Sequence, residues 1–237
     1  MHVKLVSVTT PTVSSIDWNI NSAEDLIVYM ARVSSPQNQG NMDTASKLLK
    51  YLIKNKHWSP FDMVNMTVEV KTSKAIAIQI LRHWSIKPQE FSQRYAEVME
   101  REDIQFRRAG ATNRQSSEDR FDPAIGENYI PHGLLLHTDH NTRASVVVDA
   151  LMQIVQDVYR GLLEAGVAKE CARMILPMAS STTMYLNGSV RSWIHYLEQR
   201  TDHHAQLEHR EVAAEIKKIF IEKFPNIAKA LYDTEEK

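Results

Sequence analysis

The segment from Lys74 to Tyr95 constrains the chain most. Lys74-Ala75-Ile76-Ala77-Ile78-Gln79-Ile80-Leu81 is an apolar run of helical character. It leads without a gap into Arg82-His83-Trp84-Ser85-Ile86-Lys87-Pro88-Gln89-Glu90-Phe91-Ser92-Gln93-Arg94-Tyr95. Pro88 has no backbone N–H and disfavours helix at Lys87, so the helix must stop before it. The residues beyond Pro88 read as extended and polar. Arg82, His83, Lys87, Gln89, Glu90, Ser92 and Arg94 therefore crowd donors and acceptors beside an apolar element. Such groups are costly to order unless they stay solvated on a surface loop or a ligand engages them. Spacing alone leaves both readings open.

At 237 residues the chain is long enough for a substantial core, as one large domain or two small ones. No internal repeat and no linker divides it, so residues 1–237 are read as one domain. Hydrophobic residues make up 43% and charged residues 24%, the balance of an ordinary globular protein. A net charge of −1 supplies no field for general binding of a nucleic acid polymer. The N-terminus lacks the apolar region of a signal peptide. The most apolar long stretch, Ala144 to Ala165, is interrupted by Asp149, Asp157 and Arg160, which argues against a membrane span. The single cysteine, Cys171, excludes an intramolecular disulfide and fits a reducing cytosol, so a cytoplasmic location is expected. Its apolar helical surroundings predict a buried structural thiol.

Pattern and punctuation predict an α+β fold, with a small mixed or antiparallel sheet packed with several helices, including long C-terminal ones. Val3 to Val8 reads as a first strand and Val64 to Val70 as another. Helices are predicted from Ser22 to about Val33 and after a cap at Asp43 or Thr44. Ala96 to Arg108 reads as strand and connection, and Ala109 to His140 as a long irregular loop. A long helix over 142–165 has Val146, Leu151, Ile154, Val158 and Leu162 as candidate core residues, with Gly166 at its C-terminal end. Ala168 to Leu176 is a short helix, Thr182 to Leu186 a strand, and Asn187-Gly188 a turn. Further helices are predicted at Ser189–Thr201, with Val190, Trp193, Ile194 and Leu197 on its apolar side, and from about His204 to Phe224.

Two further stretches carry chemistry-bearing residues. His57-Trp58-Ser59-Pro60-Phe61 reads on its own as a packed turn. Between Cys171 and His204 stand Arg173, Ser189, Arg191, His195 and Arg200. Arg191 and His195 share a helical face, but Arg200 falls outside it. Arginine's planar fork makes bidentate, charge-assisted bonds to an anionic group such as a phosphate. No Gly-x-Gly-x-x-Gly or P-loop occurs, and His203, His204 and His209 lack a His-Glu-x-x-His spacing, so no metal is assigned.

Arg82-His83 followed by Glu90-x-Ser92-x-Arg94-Tyr95 resembles the signature of the flavin-dependent thymidylate synthases, Arg-His-Arg and then Glu-x-Ser-x-Arg-Tyr. Trp84 stands where that family usually has arginine, Lys87 where serine is usual, and Gln89 where asparagine is common. The resemblance continues in the His57–Phe61 segment, in Arg173-x-x-Leu176-Pro177, and in Leu197-x-x-Arg200-x-Asp202-x-x-Ala205-Gln206-x-Glu208. It spans about residues 22–108 and 142–225.

The resemblance implies a reductive methylation of dUMP to dTMP without a cysteine nucleophile. FAD would be the cofactor, NADPH the reductant and methylenetetrahydrofolate the carbon donor. It implies that Gln79, Arg82, Glu90, Ser92, Gln93, Arg94, Arg173 and Arg200 contact dUMP, and that Arg200 is catalytic by polarising the pyrimidine. His57, Ser59, Arg82, His83, Trp84, Glu90, Ser189, Val190, Arg191 and His195 would contact FAD. The family usually has asparagine at the positions of Ser189 and His195. It further implies a homotetramer with shared active sites. Two alternatives stay open. Trp84, Lys87, Ser189 and His195 motivate a hydroxymethylase acting on a deoxypyrimidine monophosphate. A catalytically silent relative that binds nucleotide or a protein partner is the other, against which the retained arginines argue.

Overall fold

Strand β1, His2–Val8, pairs antiparallel with β2, Asn65–Ser73, from His2↔Lys71 to Val8↔Met66, with an irregularity between Leu5 and Ser7. The computed structural model describes residues 1–12, 20–111, 113, 116–126 and 142–232. In β2, Met66, Val68, Val70 and Thr72 are buried while their neighbours are not, as alternation about a pleated strand requires. The four-stranded sheet has the order β1-β2-β6-β3, where β3 is Lys87–Glu90 and β6 is Ser181–Ser189. β6 runs antiparallel to β2. Val190 N–H donates to the Val64 carbonyl at one end, and Lys74 N–H to the Ser180 carbonyl at the other.

The chain divides into two compact units, one of residues 1–71, 79–89 and 184–237, the other of 72–78 and 90–183. In the first, α1 (Ala23–Ala31) opens with a reciprocal cap. The Asp25 N–H donates to Ser22 Oγ, while the Asp25 carboxylate accepts from the Ser22 N–H. Helix α2 is Ala45–Lys54, α6 Val190–Arg200, α7 Leu207–Lys223 and α8 Pro225–Tyr232. Their apolar faces meet in a core that includes Ile27, Leu49, Phe61, Trp193, Tyr196, Val212, Ile216 and Phe220. The expected apolar side of α6 is buried. α8 was not legible in the sequence. It begins at a proline, which suits a first helical position, and Glu24 accepts from the N–H groups of Asn226 and Ile227. Burial raises the Glu24 carboxyl above its ordinary range.

In the second unit, α4 (Ala144–Glu164) packs on α5 (Lys169–Ala172) and on the 3-10 turn Arg173–Ile175. α4 ends at Gly166, whose φ of 84° closes the helix. Helix α3, Lys74–Ile80, leaves β2 directly and contributes to both units. A two-stranded pair joins β4, Arg107–Ala109, to β5, Ser117–Arg120.

Several expectations are corrected. Asn187 and Gly188 are not a turn but lie within β6. The Asn187 amide donates to Thr67 Oγ1, and a Cβ at Gly188 would stand 3.2 Å from the Trp193 indole nitrogen. The glycine serves close packing, not a reversal. On α4, Val146, Leu151, Ile154 and Val158 are exposed, and the buried positions are Ala144, Val147 and Tyr159. Cys171 is exposed, not buried. The last long helix starts at Leu207, because Asp202 turns the chain by accepting from the His204 N–H. Within Ala96–Arg108 only the end, at Arg107, joins a named strand. The loop expected over 109–140 begins with the β4–β5 pair, and its stretch 127–140 lies outside the described residues. No helix among the described residues is long and apolar enough to cross a membrane.

Candidate active site

In the first unit, a cleft of about 950 Å³ collects residues from three parts of the chain. The Arg82–Ser85 segment forms one wall. It follows α3 and is held in a tight turn, with the His83 N–H on the Ile80 carbonyl and the Ile86 N–H on the His83 carbonyl. Helix α6 forms another, presenting Arg191, His195, Glu198 and Gln199 opposite its buried side. Lys56, Trp58 and Asp62 complete it.

Asp62, Arg191 and Arg200 are each held by a specific partner. Asp62 accepts from Ser189 Oγ at 2.9 Å through one oxygen and from Arg191 Nη1 at 3.0 Å through the other. Ser189 Oγ also accepts from the Ser192 N–H and so caps α6. Arg200 Nε donates to His83 Nε2 at 2.7 Å. This bond brings Arg200 into the cleft although it lies half a turn out of phase with Arg191. It is the last residue of the helix and reaches around the end. Burial, then the charges of Arg200 and His195, lower the His83 pKa to about 4. The imidazole is therefore neutral near pH 7 and can accept at Nε2, with its proton on Nδ1. Trp84 is 84% exposed, and Lys87 Nζ lies 5.8 Å from its ring centroid while donating to its carbonyl.

The first unit thus brings Arg82, His83, Trp84, Arg191, His195 and Arg200 to one cleft. It does not bring His57, Ser59 or Val190 to that wall. His57 packs edge-on against Tyr51, Ser59 opens a 3-10 turn, and Val190 is buried in the core. Gln79, half-buried, is bonded to the exposed Gln206 and the buried His209 and does not line the cleft. The second unit holds the other implied contacts. Glu90 Oε1 accepts from Lys74 Nζ at 2.7 Å and Thr182 Oγ1 at 3.0 Å. Arg94 pairs with the Glu170 carboxylate and Arg173 Nε donates to the Glu170 carbonyl, so one residue holds both arginines. Ser92 Oγ accepts from the Arg94 N–H at 3.4 Å, and Gln93 lies half-buried between them.

Sequence reasoning missed Lys56, Trp58 and Asp62. Asp62 had a signal, since it directly follows the Ser-Pro-Phe turn, but its partners are more than a hundred residues away. Of the three late histidines, His203 and His204 lie exposed with Asp202, their ligand atoms within 4.8 Å, whereas His209 is fully buried.

A family model described as "Thymidylate synthase complementing protein" matches residues 16–226. A protein of Paramecium bursaria Chlorella virus 1, named "Probable flavin-dependent thymidylate synthase", is 47% identical over 232 residues, 98% of this chain and 99% of its own. The "Flavin-dependent thymidylate synthase" of a Synechocystis species is 45% identical over 231 residues, with the same coverage. That of Thermus thermophilus is 33% identical over 84% of this chain and 68% of its own. A match over most of the chain, and identity near one half along nearly its full length, establish that the protein belongs to the flavin-dependent thymidylate synthase family.

Proposed function

We propose that the protein is an FAD-dependent thymidylate synthase that converts dUMP to dTMP, taking its carbon from methylenetetrahydrofolate and its electrons from NADPH. The observation that carries this reading is the pairing of Arg200 with neutral His83 at the wall of the cleft. His83 takes the Nε hydrogen and leaves the terminal guanidinium nitrogens for a ligand. Those donors, fixed in advance, suit negative charge that develops on a pyrimidine.

The residues present fit FAD. Lys56, Arg82, Arg191 and Arg200 line the cleft with positive charge suited to a pyrophosphate. Trp58 and Trp84 offer flat faces to a ring system. Bound there, the flavin would supply the electron transfer that side chains lack. Asp62 keeps Arg191 and the capped end of α6 in place for it. Gln79, Arg82, Glu90, Ser92, Gln93, Arg94 and Arg173 are assigned to dUMP with Arg200. Cys171 is not among the residues that line the cleft, and the route requires no thiolate.

Self-association as a homotetramer with shared sites belongs to the same proposal. Its support is the apolar row Val146, Leu151, Ile154 and Val158 along α4, which a second copy would cover. An absorption spectrum tests the cofactor assignment directly. The protein should acquire a flavin band that persists through gel filtration after FAD is added. A protein that stays colourless would remove FAD from the proposal.

A further inference from the structure

A hydrogen-bonded row in the first unit, buried at Tyr196 and His209 and exposed at Gln206, joins Gln79 to residues with no assigned role. Tyr196 OH lies 3.1 Å from His209 Nε2. His209 Nδ1 is 3.3 Å from Gln79 Oε1. Gln79 Nε2 donates to Gln206 Oε1 at 2.6 Å, and Gln206 Nε2 donates to Glu208 Oε2 at 2.9 Å. Tyr196 and His209 are buried, Gln79 is half-buried, and His83 packs edge-on against the same Tyr196 ring.

The carboxylate at the end fixes the direction of every bond in the row. A carboxylate only accepts, so Gln206 must offer it an N–H. Gln206 then turns its oxygen to Gln79, which must answer with its own N–H. The Gln79 oxygen therefore faces His209, and His209 must donate from Nδ1. Its Nε2 is left as an acceptor, and the Tyr196 hydroxyl fills it. Reversing the Gln79 amide would set two donors face to face at His209 Nδ1, beside a buried ring, and two acceptors face to face at Gln206. The titration behaviour agrees. Burial, then the charges of Arg200 and His83, lower the His209 pKa to about 3, and burial raises the Tyr196 phenol. Neither group changes its proton near pH 7.

We propose that His209 is a positioning residue for the nucleotide site, which as the Nδ1–H tautomer fixes which end of the Gln79 amide meets the substrate. The inference rests on the reading that Gln79 contacts dUMP. Gln79 Nε2 carries two hydrogens and gives one to Gln206. The other is a donor with a set orientation, suited to an acceptor such as a phosphate oxygen. A reversed amide would present a carbonyl oxygen to the same group and repel it. His209 does this without touching the ligand.

The test compares His209→Leu with His209→Asn in the FAD-loaded protein. The asparagine N–H stands in for Nδ1–H, and leucine offers none. His209→Leu should raise the KM for dUMP about tenfold, the loss of one oriented hydrogen bond. Its kcat and FAD affinity should stay within about twofold, and His209→Asn should recover most of the KM. An unchanged KM in a folded His209→Leu protein would overturn the inference, as would equal losses in the two variants. Should His209→Leu not fold, Tyr196→Phe keeps the ring but removes the hydroxyl that donates to Nε2 and helps hold His209 in the Nδ1–H form, and should also raise KM; no effect there would overturn it. Nitrogen-15 spectra of the histidine rings should show His209 protonated at Nδ1, and protonation at Nε2 would overturn the inference independently of substrate. A wild-type protein that binds no dUMP would instead remove the underlying reading of Gln79.

Discussion

Arg200 shows how a single side chain acquires a role from its partner. Alone, it is one more cation at a helix end. Bonded through Nε to His83, it has a fixed direction and its terminal nitrogens remain available. Arg200→Ala should leave the fold intact and lower turnover by about 3–4 kcal/mol in the barrier, two to three powers of ten, in a steady-state assay. His83 and His209 also link the site to stability. In the unfolded chain a histidine titrates near 6.5, and in the fold these two titrate at about 4 and about 3. Between these values the unfolded chain binds more protons, so stability is full above pH 6.5 and falls as pH drops toward 4. Urea midpoints should decline over that window, and the decline should be shallower in His209→Asn. The signature residues Arg82, His83 and Arg200 were legible in the sequence because residue type and spacing recur together. His209 was legible only as a metal-capable side chain. Its role depends on Tyr196 and Gln79, which lie 13 residues and 130 residues away.

At the scale of elements, the ends of α2 and α4 use the same device with different residues. Lys56 N–H donates to the Ile53 carbonyl and His57 N–H to the Leu52 carbonyl, as Gly166 and Val167 do to Leu163 and Leu162. The residue between must turn left-handed. At α4 it is a glycine, but at α2 it is Lys56, with φ 57°. A lysine in this conformation is strained by about 1–2 kcal/mol. Lys56→Gly should therefore raise stability by about 1 kcal/mol, measured by thermal or urea unfolding, while the cleft loses one of its cations. A destabilised variant would show that the Lys56 side chain contributes more than its backbone strain costs. Local signals of this kind gave most helices their limits. They failed at Asn187-Gly188, where a turn dipeptide sits in a strand because Thr67, Trp193 and Ile86 pack against it. They also failed at α8, whose start is held by Glu24, about two hundred residues earlier.

At the scale of the whole molecule, the helical pattern of α4 is legible in the sequence, but its apolar row faces away from the core. Val146, Ile154 and Val158 are 55%, 45% and 50% exposed. Periodicity reports that a face is apolar and does not report what covers it. The proposed homotetramer supplies that cover. Ile154→Asp with Val158→Asp should then lower the assembly state in sedimentation at micromolar concentration, whereas an unchanged assembly would take α4 out of the contact. The central claim, that the cleft and its arginines methylate dUMP with flavin electrons, is tested most directly by the product. The purified protein should be supplied with dUMP, methylenetetrahydrofolate, NADPH and FAD, and the nucleotide identified by mass spectrometry. The account predicts dTMP, formed only when all four are present. A hydroxymethyl nucleotide, or unaltered dUMP beside tightly bound flavin, would contradict it.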